Sequence, residues 1–195
     1  MKKILAITYD KFNDIEFVTP LSILKRALHG ELEIHYYNPN KEVKHTTGQY
    51  GIVNITDIKH KVDFKDYDAI FVLGGVAVNA SIRHDQELFK QIHLAQKELN
   101  LPVYAICDAP NALYQSGLFE YLDSAYTSFP SQWSEEARQK SNWKNDVSVV
   151  SYANGSIVAN AAGASTLLGM QMAKNWVSEE RYKQLEFEIF GFTKQ

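Results

Sequence analysis

The chain holds one cysteine, Cys107, inside the stretch Leu101 to Phe119, LPVYAICDAPNALYQSGLF. An apolar, β-branched run climbs to Cys107 and stops, and a helical pattern begins at once. A thiol at such a junction has two readings. It can be a small buried hydrophobe, the usual role of a free cysteine. It can also be the nucleophile of a strand-to-helix elbow, pushed into a cleft and favoured as the thiolate by the helix N-terminus. The second reading predicts a thiol pKa below the ordinary value of about 8.5. Pro110 suits a first helical turn, where the missing N–H has no internal partner. The hydrolase string G-x-S-x-G is absent; Ala105-Ile106-Cys107-Asp108-Ala109 stands there instead.

Glu16 is the next candidate. Asn13 followed three residues later by Glu16 can form a capping box. Glu16 also stands at the start of the first helix, on the same sheet edge as the thiol, so cap and partner both remain open. Pro20 cannot donate to the Glu16 carbonyl, and the helix is expected to be perturbed there. Gly74-Gly75 is either a tight turn or a place where backbone N–H groups approach a ligand, as an oxyanion hole requires. The dinucleotide fingerprint G-x-G-x-x-G is missing. All six histidines precede Cys107, so a Cys–His pair whose base follows the cysteine is excluded. Asp108 suits a helix N-terminus, yet its charge opposes a thiolate beside it.

The elements that must position these residues alternate. KILAIT (Lys3 to Thr8) reads as a buried strand. NDIEFVTPLSILKRALHG reads as a helix with Phe17, Leu21, Leu24 and Leu28 near one face and Gly30 as its stop. LEIHYYN is a second strand, TTGQYGIVNI an extended segment, and DAIFVLGG a continuous apolar strand ending in the glycine pair. DQELFKQIHLAQKELN is an amphipathic helix opening at Asp85, and LPVYAI is the strand before Cys107. VSVVSYANGSIVANA reads as a hairpin with a type I′ turn at Asn154-Gly155. GASTLLGMQMAKNW and SEERYKQLEFEIF are helices. Continuous apolar strands interleaved with helices predict an α/β fold, a mostly parallel sheet covered on both faces. Its sites are expected beyond the C-terminal strand ends, where the loop after Thr8, Gly74-Gly75 and Cys107 all fall.

Composition narrows the function classes. At 195 residues the chain is expected to form one domain. A formal charge of −3 leaves no electrostatic footprint for nucleic acid. No run approaches about 18 apolar residues, so no membrane span is expected. The start, MKKILAITYD, reads as a first strand and not as a signal peptide, because Asp10 interrupts it and no small-residue cleavage site follows. One cysteine excludes an internal disulfide and a cysteine-based metal cluster. A cytoplasmic protein without metal is the expectation.

NDIEFVTPLSILKRA, YDAIFVLGG and YAICDAPNAL resemble three signatures of the ThiJ/PfpI superfamily, and VVSYANGSIVANAAGAS resembles its closing segment. The resemblance runs along nearly the whole chain, as one domain over residues 1–195. It implies a flavodoxin-like three-layer sandwich, a homodimer, and Cys107 as the reactive residue. Glu16 matches the acidic residue that contacts the cysteine. Gly75 and Asp108 match positions whose backbone N–H groups line the pocket. With Gly74 and Phe129 they make the expected oxyanion and substrate-binding set. Two departures narrow the activity. Asp108 stands where the family's proteases and several glycation-repair members have histidine. Phe129 precedes Pro130 in YTSFPSQW, where the deglycase branch often has histidine. Isonitrile hydratases share the layout, usually with aspartate in place of Glu16 and threonine after the cysteine. The resemblance therefore implies a cofactor-free, cysteine-dependent activity on reactive aldehydes such as methylglyoxal, of glyoxalase or deglycase type. The alternative is a non-catalytic redox sensor or stress protein acting through oxidation of Cys107; isonitrile hydratase-like and protease activities rank behind both.

Overall fold

The computed structural model describes residues 1–117 and 125–191; Leu118 and Phe119, the end of the stretch around Cys107, lie outside it. The strands in chain order are β1 (Lys2–Ile7), β2 (Leu32–Tyr37), β3 (Thr46–Thr47), β4 (Asn54–Ile55), β5 (Ile58–Lys59), β6 (Ala69–Val72), β7 (Val103–Ile106), β8 (Val149–Ser151) and β9 (Ile157–Ala159). Seven of them form one sheet in the order β5-β2-β1-β6-β7-β9-β8. Its neighbours pair in parallel except β8, which runs antiparallel to β9. Every residue of β6, β7 and β9 is buried, as are the last four of β1. A strand with one wet face would alternate, so this continuous burial means both faces are covered. The architecture is the expected flavodoxin-like one, and the strand order reverses at β1 and β6. That switch point is where open α/β sheets place their sites.

The helices are α1 (Asp14–Ala27), α2 (Val76–Ala80), α3 (Gln86–Leu99), α4 (Ala109–Gln115), α5 (Glu135–Gln139), α6 (Ser165–Lys174) and α7 (Glu179–Phe190). α1, α6 and α7 pack on one another. Phe17, Leu21 and Leu24 bury the face of α1 expected from their spacing. Pro20 does not end α1, which continues to Ala27. α6 packs closely on α1 at this turn: a Cβ on Gly169 would lie 2.8 Å from Pro20 Cα and 3.0 Å from Ile23 Cβ. α3 opens as expected, with the Asp85 carboxylate accepting from Leu88 N–H at 2.9 Å.

Two local expectations are corrected. The 46–55 segment is not simply extended; β3 and β4 pair as a small antiparallel hairpin. The β8–β9 turn is not type I′ at Asn154-Gly155. Gly155 has a positive φ of 86° but Asn154 does not, and Gly155 N–H donates to Tyr152 O at 2.9 Å. The tight turn therefore spans Tyr152 to Gly155, and Asn154 uses its side chain to accept from Ser156 N–H at 3.0 Å. That side-chain bond replaces the left-handed backbone that type I′ requires at its first central position.

Candidate active site

Cys107 connects β7 to α4 with φ +66°. A left-handed conformation is rare for a side chain bearing a Cβ, and it persists only where the surroundings impose it. Three bonds do so here. Cys107 N–H donates to Ala159 O on β9 at 3.0 Å, Phe129 N–H donates to Cys107 O at 2.7 Å, and Asn111 Nδ2 donates to Phe129 O at 2.8 Å. Phe129 thus reaches the turn through its backbone, while its side chain is exposed.

The glycine pair lies against the thiol. A Cβ on Gly74 would overlap Glu16 Oε2 and stand 2.6 Å from Cys107 Cβ. Gly75 has φ +94°, and a Cβ there would overlap Asn13 N. Asn13 N–H donates to Gly74 O at 3.2 Å, and Phe12 and Gly75 form an isolated β-bridge. The loop after β1, the end of β6 and the end of β7 therefore meet as expected. Asp14 stiffens the rim. Its buried carboxylate accepts from the N–H groups of Tyr50, Ile52 and Val53 at 3.0, 3.1 and 2.8 Å. Burial alone would raise its pKa; those bonds hold it below the ordinary carboxylate value.

Glu16 is not the second half of a capping box. Asn13 alone supplies the side-chain cap of α1, accepting from Ile15 N–H at 3.1 Å. Glu16, 1% exposed, points inward and lies within hydrogen-bonding range of the Cys107 thiol. Its Oε2 is buried with no donor. An unpaired buried carboxylate oxygen disfavours the anion, and burial raises the Glu16 pKa to about 7, against a weaker downward pull from Cys107.

The thiol departs from the expected low pKa. Burial first, then the Glu16 carboxylate, push it above its ordinary range; the N–H groups of Gly75 and Asp108 point at it and pull the other way without prevailing. Glu16 and Cys107 are therefore one titrating unit that releases a first proton near neutral pH. In the singly protonated pair the proton sits on oxygen or on sulfur. The tautomer with a thiolate and a neutral Glu16 is the one in which the Gly75 and Asp108 N–H groups have an anionic acceptor.

Asp108 supplies its N–H to this arrangement but not its charge. Its carboxylate is buried and bound by other side chains, Arg83 among them. Neither Arg83 nor Asn111 stood out in the sequence. The one available signal was the charge of Asp108 itself, which a buried turn cannot hold without a cation. Histidines bond elsewhere: His35 with Tyr67, His60 with Asn38 O, His84 with Asn79 O and His93 with Ser116. Among the described residues, no cluster of three or more His, Cys, Asp or Glu could hold a metal ion. No helix of the described residues is long and apolar enough to cross a membrane.

Residues 2–175 match the family model described as the DJ-1/PfpI family. "Uncharacterized protein MG029" of Mycoplasma genitalium is 28% identical over 190 residues, 95% of this chain and 96% of that protein. The Bacillus subtilis protein named "Putative cysteine protease YraA" is 30% identical over 152 residues, 77% of this chain and 85% of that protein. The solved structure of Schizosaccharomyces pombe DJ-1 superposes with a TM-score of 0.78 at 20% identity, covering 97% of this chain and 99% of that one.

Proposed function

The chain belongs to the DJ-1/PfpI family, and from that premise we propose that it is a cysteine-dependent, cofactor-free enzyme acting on small reactive aldehydes, with methylglyoxal as the test substrate. One observation carries the reading: a buried, proton-holding Glu16 beside a left-handed Cys107 whose sulfur faces the N–H groups of Gly75 and Asp108.

The chemistry follows from that geometry. The Cys107 sulfur adds to the aldehyde carbon, and the carbonyl oxygen takes the proton that Glu16 held, giving a hemithioacetal. Developing charge on that oxygen meets the two backbone donors. Glu16, now a carboxylate, removes the hydrogen on the former aldehyde carbon as a proton and returns it to the neighbouring ketone carbon. The hydroxyl proton of the hemithioacetal passes to the former ketone oxygen; one carbon is thereby oxidised and the other reduced within the same molecule, which leaves a thioester of lactate. Water cleaves the thioester, releasing lactate and restoring the thiol. The balance is methylglyoxal plus water to lactate, with no outside oxidant or reductant.

The test is lactate formation from methylglyoxal by the wild-type chain, with Cys107→Ala and Glu16→Leu as controls and isonitriles and a peptide substrate beside it. Lactate that disappears in both variants supports the reading; no lactate from methylglyoxal, and no 2-hydroxy acid from glyoxal or phenylglyoxal run beside it, overturns it. The second reading, a redox sensor, is favoured by the same two N–H groups, which would receive the oxygens of an oxidised sulfur. It would show as a gain of two oxygen atoms at Cys107 on peroxide treatment without aldehyde turnover.

A homodimer belongs to the same proposal. Ile15, Val18, Tyr50, Ile52 and Val76 are exposed around the start of α1. They are tied together by the Asp14 bonds to the 50–53 loop and by Val76 N–H donating to Gln49 at 3.3 Å. An apolar patch around the mouth of a site suits burial against a second copy.

A further inference from the structure

An ion pair is built on the residue that follows the thiol, at the N-terminus of α4. Arg83 Nη2 donates to Asp108 Oδ2 at 2.7 Å and to Ser134 Oγ at 2.9 Å, and Arg83 Nη1 donates to Gln115 Oε1. The other Asp108 oxygen, Oδ1, accepts from Asn111 Nδ2 and Ser131 Oγ, each at 2.7 Å, and from Ser134 Oγ at 3.2 Å. The side chains are 14% and 7% exposed, so water screens the pair poorly.

We propose that Arg83 is a positioning residue for the Cys107 thiolate: it fixes the Asp108 carboxylate in this network and cancels its charge, so that the same residue can offer its backbone N–H to the sulfur. Asp108 adjoins the thiol in sequence and begins the helix behind it. A free carboxylate there opposes thiolate formation, and a buried one without a cation is unfavourable in itself. The guanidinium fork reaches Asp108, Ser134 and Gln115 at once, which a single ammonium does not match.

Among the described residues, charged and titratable groups near the thiol and the pair include Glu16 from α1, Asp108, Arg83 and its neighbour His84, Arg138 from α5, and the phenols of Tyr126 and of Tyr114 stacked on it. Arg138 is committed elsewhere: its Nη1 donates to Ser131 O at 2.6 Å and its guanidinium lies 5.1 Å from the Trp143 ring centroid. Tyr126 donates to Asn111 Oδ1 at 3.2 Å. Among the described residues, Arg83 is the cation that pairs with the Asp108 carboxylate.

The inference rests on Cys107 being the nucleophile, but its test does not need turnover. Iodoacetamide alkylation of Cys107 is followed by mass spectrometry across pH, on the full chain, in wild type, Arg83→Met, Asp108→Asn and the double variant. In Arg83→Met the alkylation profile should move to higher pH, with a rate about tenfold lower at a fixed pH below the midpoint. In Asp108→Asn, where Arg83 keeps its charge but loses the carboxylate that balances it, it should move to lower pH. The double variant should return close to wild type. If Arg83→Met does not fold, Asp108→Asn and the double variant carry the test. A purely structural pair lowers the melting temperature of the single variants and leaves the profile where it was; that result overturns the proposal, as does a double variant displaced as far as a single one. A wild type that makes no lactate yet shows the Arg83-dependent profile overturns the enzyme reading and supports this one.

Discussion

Glu16 and Cys107 meet across a glycine. The space a Cβ on Gly74 would need is already taken by Glu16 Oε2 and by Cys107 Cβ, the latter 2.6 Å away. The contact joins the first turn of α1 to the end of β7, which are far apart in the chain. Neither a cap nor a lone thiol accounts for it.

Gly74→Ala should therefore push Glu16 and Cys107 apart. The expected result is a folded protein destabilised by roughly 1–3 kcal/mol, the usual cost of overpacking, with slower Cys107 alkylation at pH 6. Thermal melting and alkylation on one sample check it. An unchanged alkylation rate would mean that the contact does not tune the thiol.

Glu16 should make stability pH-dependent in a defined window. Its proton is held up to about pH 7 in the folded chain, against an ordinary value of 4.5. Because the folded pKa is the higher one, the contribution is complete below the ordinary value and is lost as pH rises through the window to about 7. The loss is roughly 3 kcal/mol. Denaturant titrations at several pH values should show that fall in wild type and its absence in Glu16→Leu.

Glu16 should also act on the thiol as a donor. Where Glu16 keeps its proton, Glu16→Leu removes a hydrogen bond to the thiolate, and alkylation at pH 6 should slow about tenfold. Glu16→Gln keeps an amide donor and should recover most of the rate. Equal rates in all three proteins would remove Glu16 from the site.

Asn13→Ala separates capping from chemistry. It should cost about 1 kcal/mol of stability through loss of the α1 cap. The alkylation profile should stay in place, because the Asn13 backbone N–H still holds Gly74 O. A displaced profile would show that the cap and the site are not separable.

Ile52→Glu tests the apolar patch. Light scattering should show a dimer for the wild-type chain at micromolar concentration and a monomer for the variant. A wild-type monomer would sink the dimer proposal.

Much of this was legible in the chain itself. Apolar runs of four or more residues, as in LPVYAI and DAIFVLGG, are visible without knowing what lies next to them, and they specify strands buried on both faces. The position of Cys107 between such a run and Pro110 identifies a strand-to-helix turn, and Gly74-Gly75 marks a second strand end. These signals are local, because backbone geometry and side-chain alternation act over a few residues.

The tertiary structure decided the rest, because those facts depend on partners remote in the chain. Glu16 suited a cap and a thiol partner equally well until the fold turned its carboxyl inward and left Asn13 as the cap. Arg83 sits 25 residues from Asp108 and 51 from Ser134, with no periodicity linking them. A helix N-terminus can be read from sequence and burial cannot, so the sequence predicts a lowered thiol pKa where the assembled fold raises it. Desolvation of Cys107 and the nearness of Glu16 outweigh two backbone donors, and both arise only when α1, β6 and β7 are assembled.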